Sequence, residues 1–387
     1  MTNAIDARAN ACVRQAIDTA IAAGREIGVQ VAAYHRGMLV VDTWGGLADE
    51  RTGRAVDGDT LFNVYSVTKA VAATAIHVLA DRGLVEYDAP VARYWPEYGA
   101  RGKAGTTLRH VLTHRACVPQ MPAGVTPERM CDWDWMTRAI ADLEPLAEPG
   151  TRTLYLSMTF GWILGEVLRR ADPRHRTLGR FVREEIAAPL GISDLWIGLP
   201  DQHIGRVAKL TDAMTPVPPE YLPGLFTASM PVPVALEPRV FERPDVRRAE
   251  VAGVGGIFNA RSEARFWAML ANGGELDGVR ILARDRVATF NTPRAASDEP
   301  DPVMFNRPLP ISIAGYWLGG EQAPVASARS PRALCHPGQG GSIGWADPDL
   351  NLAVAICHNR MFNAASVEED SILPIANAVR EGLGLAG

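Results

Sequence analysis

The chain reads as an α+β protein: an antiparallel sheet flanked by N- and C-terminal helices, with an all-helical lobe inserted between the strands. Strand-like runs gather near both ends of the 387 residues, and helical periodicity dominates the middle. With 47% hydrophobic and 21% charged residues, the composition is that of an ordinary globular protein. At this length two lobes are expected rather than one core. Residues 1–74 and 251–387 are expected to build one α/β lobe from both termini, and residues 75–250 a mainly helical lobe with a Pro-rich loop at 214–244.

Ile5, Ala9, Cys12, Val13, Ala16, Ile17 and Ala20 recur at helical spacing, and Gly24 follows as a stop signal, so residues 5–24 read as an amphipathic helix. GVQVAAYHR and GMLVVDTWGG are β-rich and meet at Arg36-Gly37, as in a hairpin. Helical signal returns in SVTKAVAATAIHVLADRGL. From about residue 75 to 200, helical segments such as TLRHVLTH, DWDWMTRAIADL, SMTFGWILGEVLRRA and LGRFVREEIAAPL alternate with Pro/Gly loops, and no strong strand is expected among them. Eight prolines between 214 and 244 (Pro216, Pro218, Pro219, Pro223, Pro231, Pro233, Pro238, Pro244) make that segment irregular. Its ends are tied to helical regions, so it reads as an ordered loop. After AGVGGIFNA and a capped helix from Ser262, strand signals return in ISIAGYWLGG, RALCHPG, SIGWAD and NLAVAICHN, before a closing helix near 370–383.

A net charge of -5 and the absence of any Lys/Arg-rich run exclude nucleic acid and an anionic membrane surface as partners. The longest apolar stretch, Ala70 to Ala80, is about 11 residues and too short to span a bilayer. MTNAIDARANACVRQ carries charges from the start and no apolar region, so no secretory signal is expected. Cys12, Cys117, Cys131, Cys335 and Cys357 form an odd set without a CxxC pair, which reads as reduced thiols in a cytoplasmic protein, with neither disulfides nor a zinc site. Of 39 basic residues only Lys69, Lys103 and Lys209 are lysines.

Ser66-Val67-Thr68-Lys69 stands where a short strand-like run gives way to a helix, which predicts Ser66 in the first turn and Lys69 one turn on, on the same face. A serine hydroxyl needs an adjacent base to become a nucleophile. A desolvated lysine beside the positive end of a helix loses its proton more easily and can be that base. Twelve serines and three lysines in 387 positions give roughly 0.1 chance matches to this spacing, so the motif needs company. Tyr155-Leu156-Ser157 follows a Pro149-Gly150 loop, from which a phenol can relay a proton to a leaving group. His336-Pro337-Gly338-Gln339-Gly340-Gly341 is a Gly-rich turn beside a strand that can aim a backbone N–H at an oxyanion.

Gly340-Gly341-Ser342-Ile343-Gly344 matches the G-x-S-x-G nucleophile elbow, but a turn and a strand follow Ser342 where that elbow needs a helix, and the only later histidine is His358. His110 and His114 have i, i+4 spacing without a general-base glutamate between them, and read as structural histidines or helix-end hydrogen bonders. No Walker A run or dinucleotide fingerprint is present, so neither a metal nor another cofactor is expected.

Taken in order, SVTK at 66–69, YLS at 155–157 and HPG at 336–338 resemble the three motifs of serine β-lactamase-like proteins, which include class C β-lactamases, DD-peptidases and family VIII carboxylesterases. LRHVLTHRACVP, DRGLVEYDAPVARYWPEY and AGVGGIFNARSEARFWAMLANGG are similar to further family segments, so the resemblance covers about residues 25 to 360. It implies a β-lactamase-like fold in which Ser66 is acylated and Lys69 activates it. Tyr155 would exchange the proton with Lys69 and the leaving group, leaving open which of the two is the base. The backbone N–H groups of Ser66 and Gln339 would bind the oxyanion, with His336 and Gly338 lining the substrate site. Where the family's lactamases use Lys-Thr-Gly, this chain has His336-Pro337-Gly338; where Tyr-x-Asn is usual, Ser157 stands; Arg115-Ala116-Cys117 replaces Thr-Ser-Gly. A weaker carboxylate anchor tilts the expectation to small, short-acyl neutral esters, with β-lactamase, DD-peptidase, acyltransfer or silent binding as alternatives. The Pro-rich segment and residues 117–136 are expected to shape the pockets, and a homo-oligomer is compatible with the chain. Lys69→Arg is expected to abolish hydrolysis, whereas Lys103→Arg and Lys209→Arg are expected to do little.

Overall fold

The computed structural model describes residues 5–385 apart from 216, 323, 363 and 365; Met1–Ala4 and Pro216 of the segments read above lie outside the described residues. Its backbone is a seven-stranded sheet. In chain order the strands are β1 (Gly28–His35), β2 (Met38–Asp49), β3 (Arg54–Ala55), and then β7 (Trp317–Leu318), β8 (Leu334–Pro337), β9 (Ile343–Asp347) and β10 (Leu352–His358). The spatial order is β7-β8-β9-β10-β1-β2-β3, antiparallel throughout. β1 pairs with β10, Val31 opposite Ile356, so the two ends of the chain close one sheet.

The period of two explains which residues go where. Val29, Val31 and Ala33 of β1, with Leu352, Val354 and Ile356 of β10, face one cluster that also takes up Ala9, Val13 and Ile17 of helix α1 (Ala7–Ala22) and Ile375 and Val379 of the C-terminal helix α8 (Ile372–Gly382). Each such aliphatic side chain buried stabilises by about 1.5–3 kcal/mol. On the opposite face Ala32, Ala353 and Ala355 are small, so helix α7 (Ala260–Ala271) packs close. Gly344 shows how close: a Cβ there would lie 1.9 Å from the Trp267 indole nitrogen.

Between the terminal portions lie helices α2 (Thr68–Asp81), α3 (Leu108–Leu112), α4 (Trp133–Ala141), α5 (Thr159–Ala171) and α6 (Leu178–Val182), which runs on into a wider π turn at Arg183–Ala187. The α+β expectation is borne out in this architecture. Several local expectations are corrected. Leu195–Ile197 is a strand, β5, which with β4 (Phe62–Tyr65) and β6 (Gly256–Phe258) forms a second, three-stranded sheet in the order β4-β6-β5. Three residues are too few to show alternation, and cross-strand pairing decides the conformation. The helix read from Ser262 starts at Ala260, because Asn259 is its cap and accepts from the Ser262 amide. In ISIAGYWLGG only Trp317–Leu318 is laddered, since Gly315, at φ +85, turns the chain. The Pro-rich segment is a succession of short helical turns, including Gly224–Ser229 and Pro238–Phe241.

Candidate active site

β4 delivers the chain to the site and α2 carries it away. At the junction Tyr65 takes φ +46, an uncommon value for a bulky aromatic, and its hydroxyl and ring are held by Met361 and Phe241. The bend places Ser66 ahead of the helix rather than in its first turn as expected, since α2 begins at Thr68. The Lys69 amide still bonds the Ser66 carbonyl at 3.0 Å, so both side chains share one face. Thr68 pins the junction by accepting from the Gly256 amide at 2.8 Å and donating to the Tyr65 carbonyl.

Lys69 is fully buried. Its Nζ lies 3.0 Å from Ser66 Oγ, 2.7 Å from the Ser157 carbonyl and 2.9 Å from the Gly253 carbonyl. Burial holds its pKa well below that of a free lysine, and among the described residues no carboxylate stands beside it to restore the charge. A neutral amine has two hydrogens and one lone pair. The two carbonyls take the hydrogens, and the lone pair is left facing the Ser66 hydroxyl, which is the arrangement a general base needs.

Tyr155 completes the group. Lys69 Nζ stands 5.1 Å from its ring centroid, and Ser66 is the side chain that offsets part of the burial of its phenol. Burial pushes the phenol pKa up, so the hydroxyl stays protonated at neutral pH. The ring is stacked on His114 at 4.3 Å and meets Trp317 edge-on at 6.1 Å, while the backbone N–H donates to Asp301 at 2.8 Å. That carboxylate is itself pushed up to about 6 by burial.

The motif turn comes alongside from β8. Gly338 has no room for a side chain, since a Cβ would lie 2.3 Å from the Val64 carbonyl, two residues before Ser66. Its amide bonds Ser342 O at 2.7 Å. The amides of Ser66 and Gln339 donate to no acceptor among the described residues. Gln339 turns its side chain to Met214 Sδ at 3.2 Å. His336 is buried against Trp317, its Nδ1–H donating to the Pro337 carbonyl at 2.8 Å. Burial pushes its pKa down to about 3, so at neutral pH it is an uncharged ring.

The structure thus brings together Ser66, Lys69 and Tyr155 and sets the 336–341 turn beside them. Ser342 is placed otherwise: it leads into β9 with no helix following, and its Oγ accepts the His358 amide at 3.3 Å. His110 serves the capping box of α3 with Thr107. His114, set aside in the sequence, carries the Tyr155 ring, and its Nδ1 accepts from the Leu156 amide at 2.9 Å. A histidine read only against its i−4 neighbour points to helix chemistry, so its stacking partner 41 positions on was missed. The carbonyls of Ser157 and Gly253 were missed too, because a backbone acceptor has no residue signature. No group of His, Cys, Asp or Glu suited to a metal occurs among the described residues.

A model of the family described as Beta-lactamase matches residues 13–376. The chain belongs to the beta-lactamase family. Within that family, Esterase/beta-lactamase LipL of Mycobacterium tuberculosis is 34% identical over 366 residues, which is 91% of this chain and 82% of LipL. A solved structure described as a family VIII carboxylesterase superimposes with a TM-score of 0.88 at 33% identity, covering 98% of both chains. A penicillin-binding protein homologue from Caulobacter crescentus gives 0.83 at 32% identity, covering 98% of this chain and 99% of its own.

Proposed function

We propose that this member of the beta-lactamase family is a serine carboxylesterase that cleaves small, short-acyl esters through an acyl-enzyme on Ser66. The observation that carries the reading is the buried Lys69 amine, with two carbonyls for its two hydrogens and the Ser66 hydroxyl at 3.0 Å for its lone pair. Ser66 Oγ attacks the ester carbonyl while its proton passes to Lys69, and the oxyanion accepts from the Ser66 and Gln339 amides. The protonated Tyr155 gives its proton to the departing alkoxide and regains one from Lys69. Water then attacks the acyl-enzyme, losing its proton to Lys69, and Ser66 leaves reprotonated. The raised phenol pKa favours Lys69 over Tyr155 as the base.

Esters are favoured over carboxylate-bearing substrates because His336, at the place of the family's Lys-Thr-Gly lysine, is neutral at pH 7 and offers a carboxylate no cation. Relatives named as esterase, Esterase/beta-lactamase LipL and Esterase EstB of Burkholderia gladioli, support the same class. The penicillin-binding homologue keeps weak β-lactam or peptide turnover as the second reading. Five free cysteines, and no described helix long and apolar enough to cross a membrane, support a cytoplasmic place of work. A panel of p-nitrophenyl acetate to decanoate and a chromogenic cephalosporin, run on wild type, Ser66→Ala and Ser342→Ala, tests this. Short esters turn over in wild type and Ser342→Ala and fail in Ser66→Ala; activity that survives in Ser66→Ala and vanishes in Ser342→Ala sinks the assignment.

A further inference from the structure

The G-x-S-x-G run has no part in the chemistry above, yet its surroundings are unusually constrained. Glu26, just after α1, and His358, at the end of β10, are 2% and 4% exposed. His358 Nδ1–H donates to Glu26 Oε2 at 2.8 Å, and the other carboxylate oxygen accepts from the Ser371 hydroxyl at 2.5 Å, at the head of α8. A buried carboxylate with both oxygens engaged fixes the imbalance-prone imidazole in one tautomer and one orientation.

That ring is the floor of the motif turn. Gly341, at φ +119, lies so near that a Cβ would be 2.8 Å from His358 Nε2 and 3.0 Å from Cε1. Gly340, at φ +91, rests on Met361, where a Cβ would be 3.1 Å from backbone and side chain, and its carbonyl accepts from the Phe362 amide at 2.9 Å. On the far side Gly338 abuts the Val64 carbonyl. Gln339 is held between these two supports, one from the nucleophile strand and one from His358 and its neighbours.

We propose that His358 and Glu26 are positioning residues that set the aim of the Gln339 amide: the carboxylate clamps the imidazole, the imidazole seats Gly341, and the seated turn presents the amide to the oxyanion. The inference rests on the acyl-enzyme reading above. An amide that binds only the developing oxyanion acts on the transition state, so its misalignment lowers kcat and leaves KM.

The test measures kcat, KM and thermal midpoint with p-nitrophenyl butyrate, together with inhibition by phenylboronic acid, which forms a tetrahedral adduct on the serine. In His358→Ala, kcat falls tenfold or more with KM within twofold, and the boronate Ki rises by a similar factor; a role in stability alone moves the midpoint but neither kinetic quantity. His358→Asn, which keeps a donor for Glu26, recovers part of both, and it carries the measurement if His358→Ala fails to fold. Unchanged kcat and Ki, or a rise in KM alone, overturns the inference. Loss of the acyl-enzyme reading shows separately, as hydrolysis that persists in Ser66→Ala.

Discussion

Lys69 and Lys103 are the two lysines that the fold removes from water, and each places its Nζ over a tyrosine ring, 5.1 Å from Tyr155 and 5.4 Å from Tyr98. They differ in one acceptor. Lys103 donates to three carbonyls, those of Ala100, Ala141 and Leu143, and so uses three hydrogens, which only the ammonium form possesses. Lys69 has two carbonyls and a serine hydroxyl, and so can be satisfied as a neutral amine. The pKa directions agree: a thinner covering of protein lowers Lys103 only to about 8, leaving it charged at neutral pH, while Lys69 is carried well below its ordinary value. The two buried lysines are told apart by the third position around the nitrogen, a serine hydroxyl in one and a carbonyl in the other.

The sharpest break of this contrast is Lys69→Arg, which puts a permanent cation in place of the depressed amine and lowers kcat/KM by about a thousandfold or more, because a guanidinium cannot give up its proton. A rate within tenfold of wild type would falsify the lysine-base reading. Tyr155→Phe comes next, with a loss of about 10²–10⁴ in kcat as expected when a positioned proton donor is removed; the thermal midpoint, measured alongside, should hardly move. The pH profile sharpens the comparison without mutation. A base works deprotonated, and burial lowers the Lys69 pKa, so kcat/KM rises with pH along an acid limb well below the 10.5 of free lysine and falls as pH drops through it. A limb near 10 contradicts a depressed lysine.

Lys103→Met tests the other pocket. Stranding three carbonyls, one buried and two half-buried, destabilises by about 1–3 kcal/mol, read by denaturant melts, with hydrolysis per folded molecule intact. Lys103→Arg falls on the same side in stability, since a planar fork cannot reproduce a three-carbonyl cage, while hydrolysis per folded molecule stays little changed as expected. Lys209→Arg is the smallest change. Lys209 is 42% exposed at its side chain and pairs with Glu242 at 3.2 Å, so stability should stay within about 1 kcal/mol and activity unchanged.

Much of this was legible along the chain. The β-rich runs GVQVAAYHR and NLAVAICHN marked two strands of the main sheet, and the helical repeat of Ala9, Val13 and Ile17 marked the face that covers them. The spacing of Ser66 and Lys69 survived even though the helix starts two residues later than expected, because the i, i+3 bond between their backbones does not need the helix to have begun. What stayed hidden were elements made by pairing, such as Leu195–Ile197, and partners that are backbone atoms or distant rings, such as Gly253 O and His114.

By itself, then, the sequence determined the α+β class, the terminal strands and helices, and the placing of Ser66 one turn before Lys69, since these depend on local patterns and on residues near in the chain. Only the tertiary structure decided which of two buried lysines stands beside a hydroxyl and which sits in a cage of carbonyls. The physical reason is that a lysine's proton is governed by desolvation and by the count of acceptors around its nitrogen, and those acceptors arrive from 88 and 184 positions away.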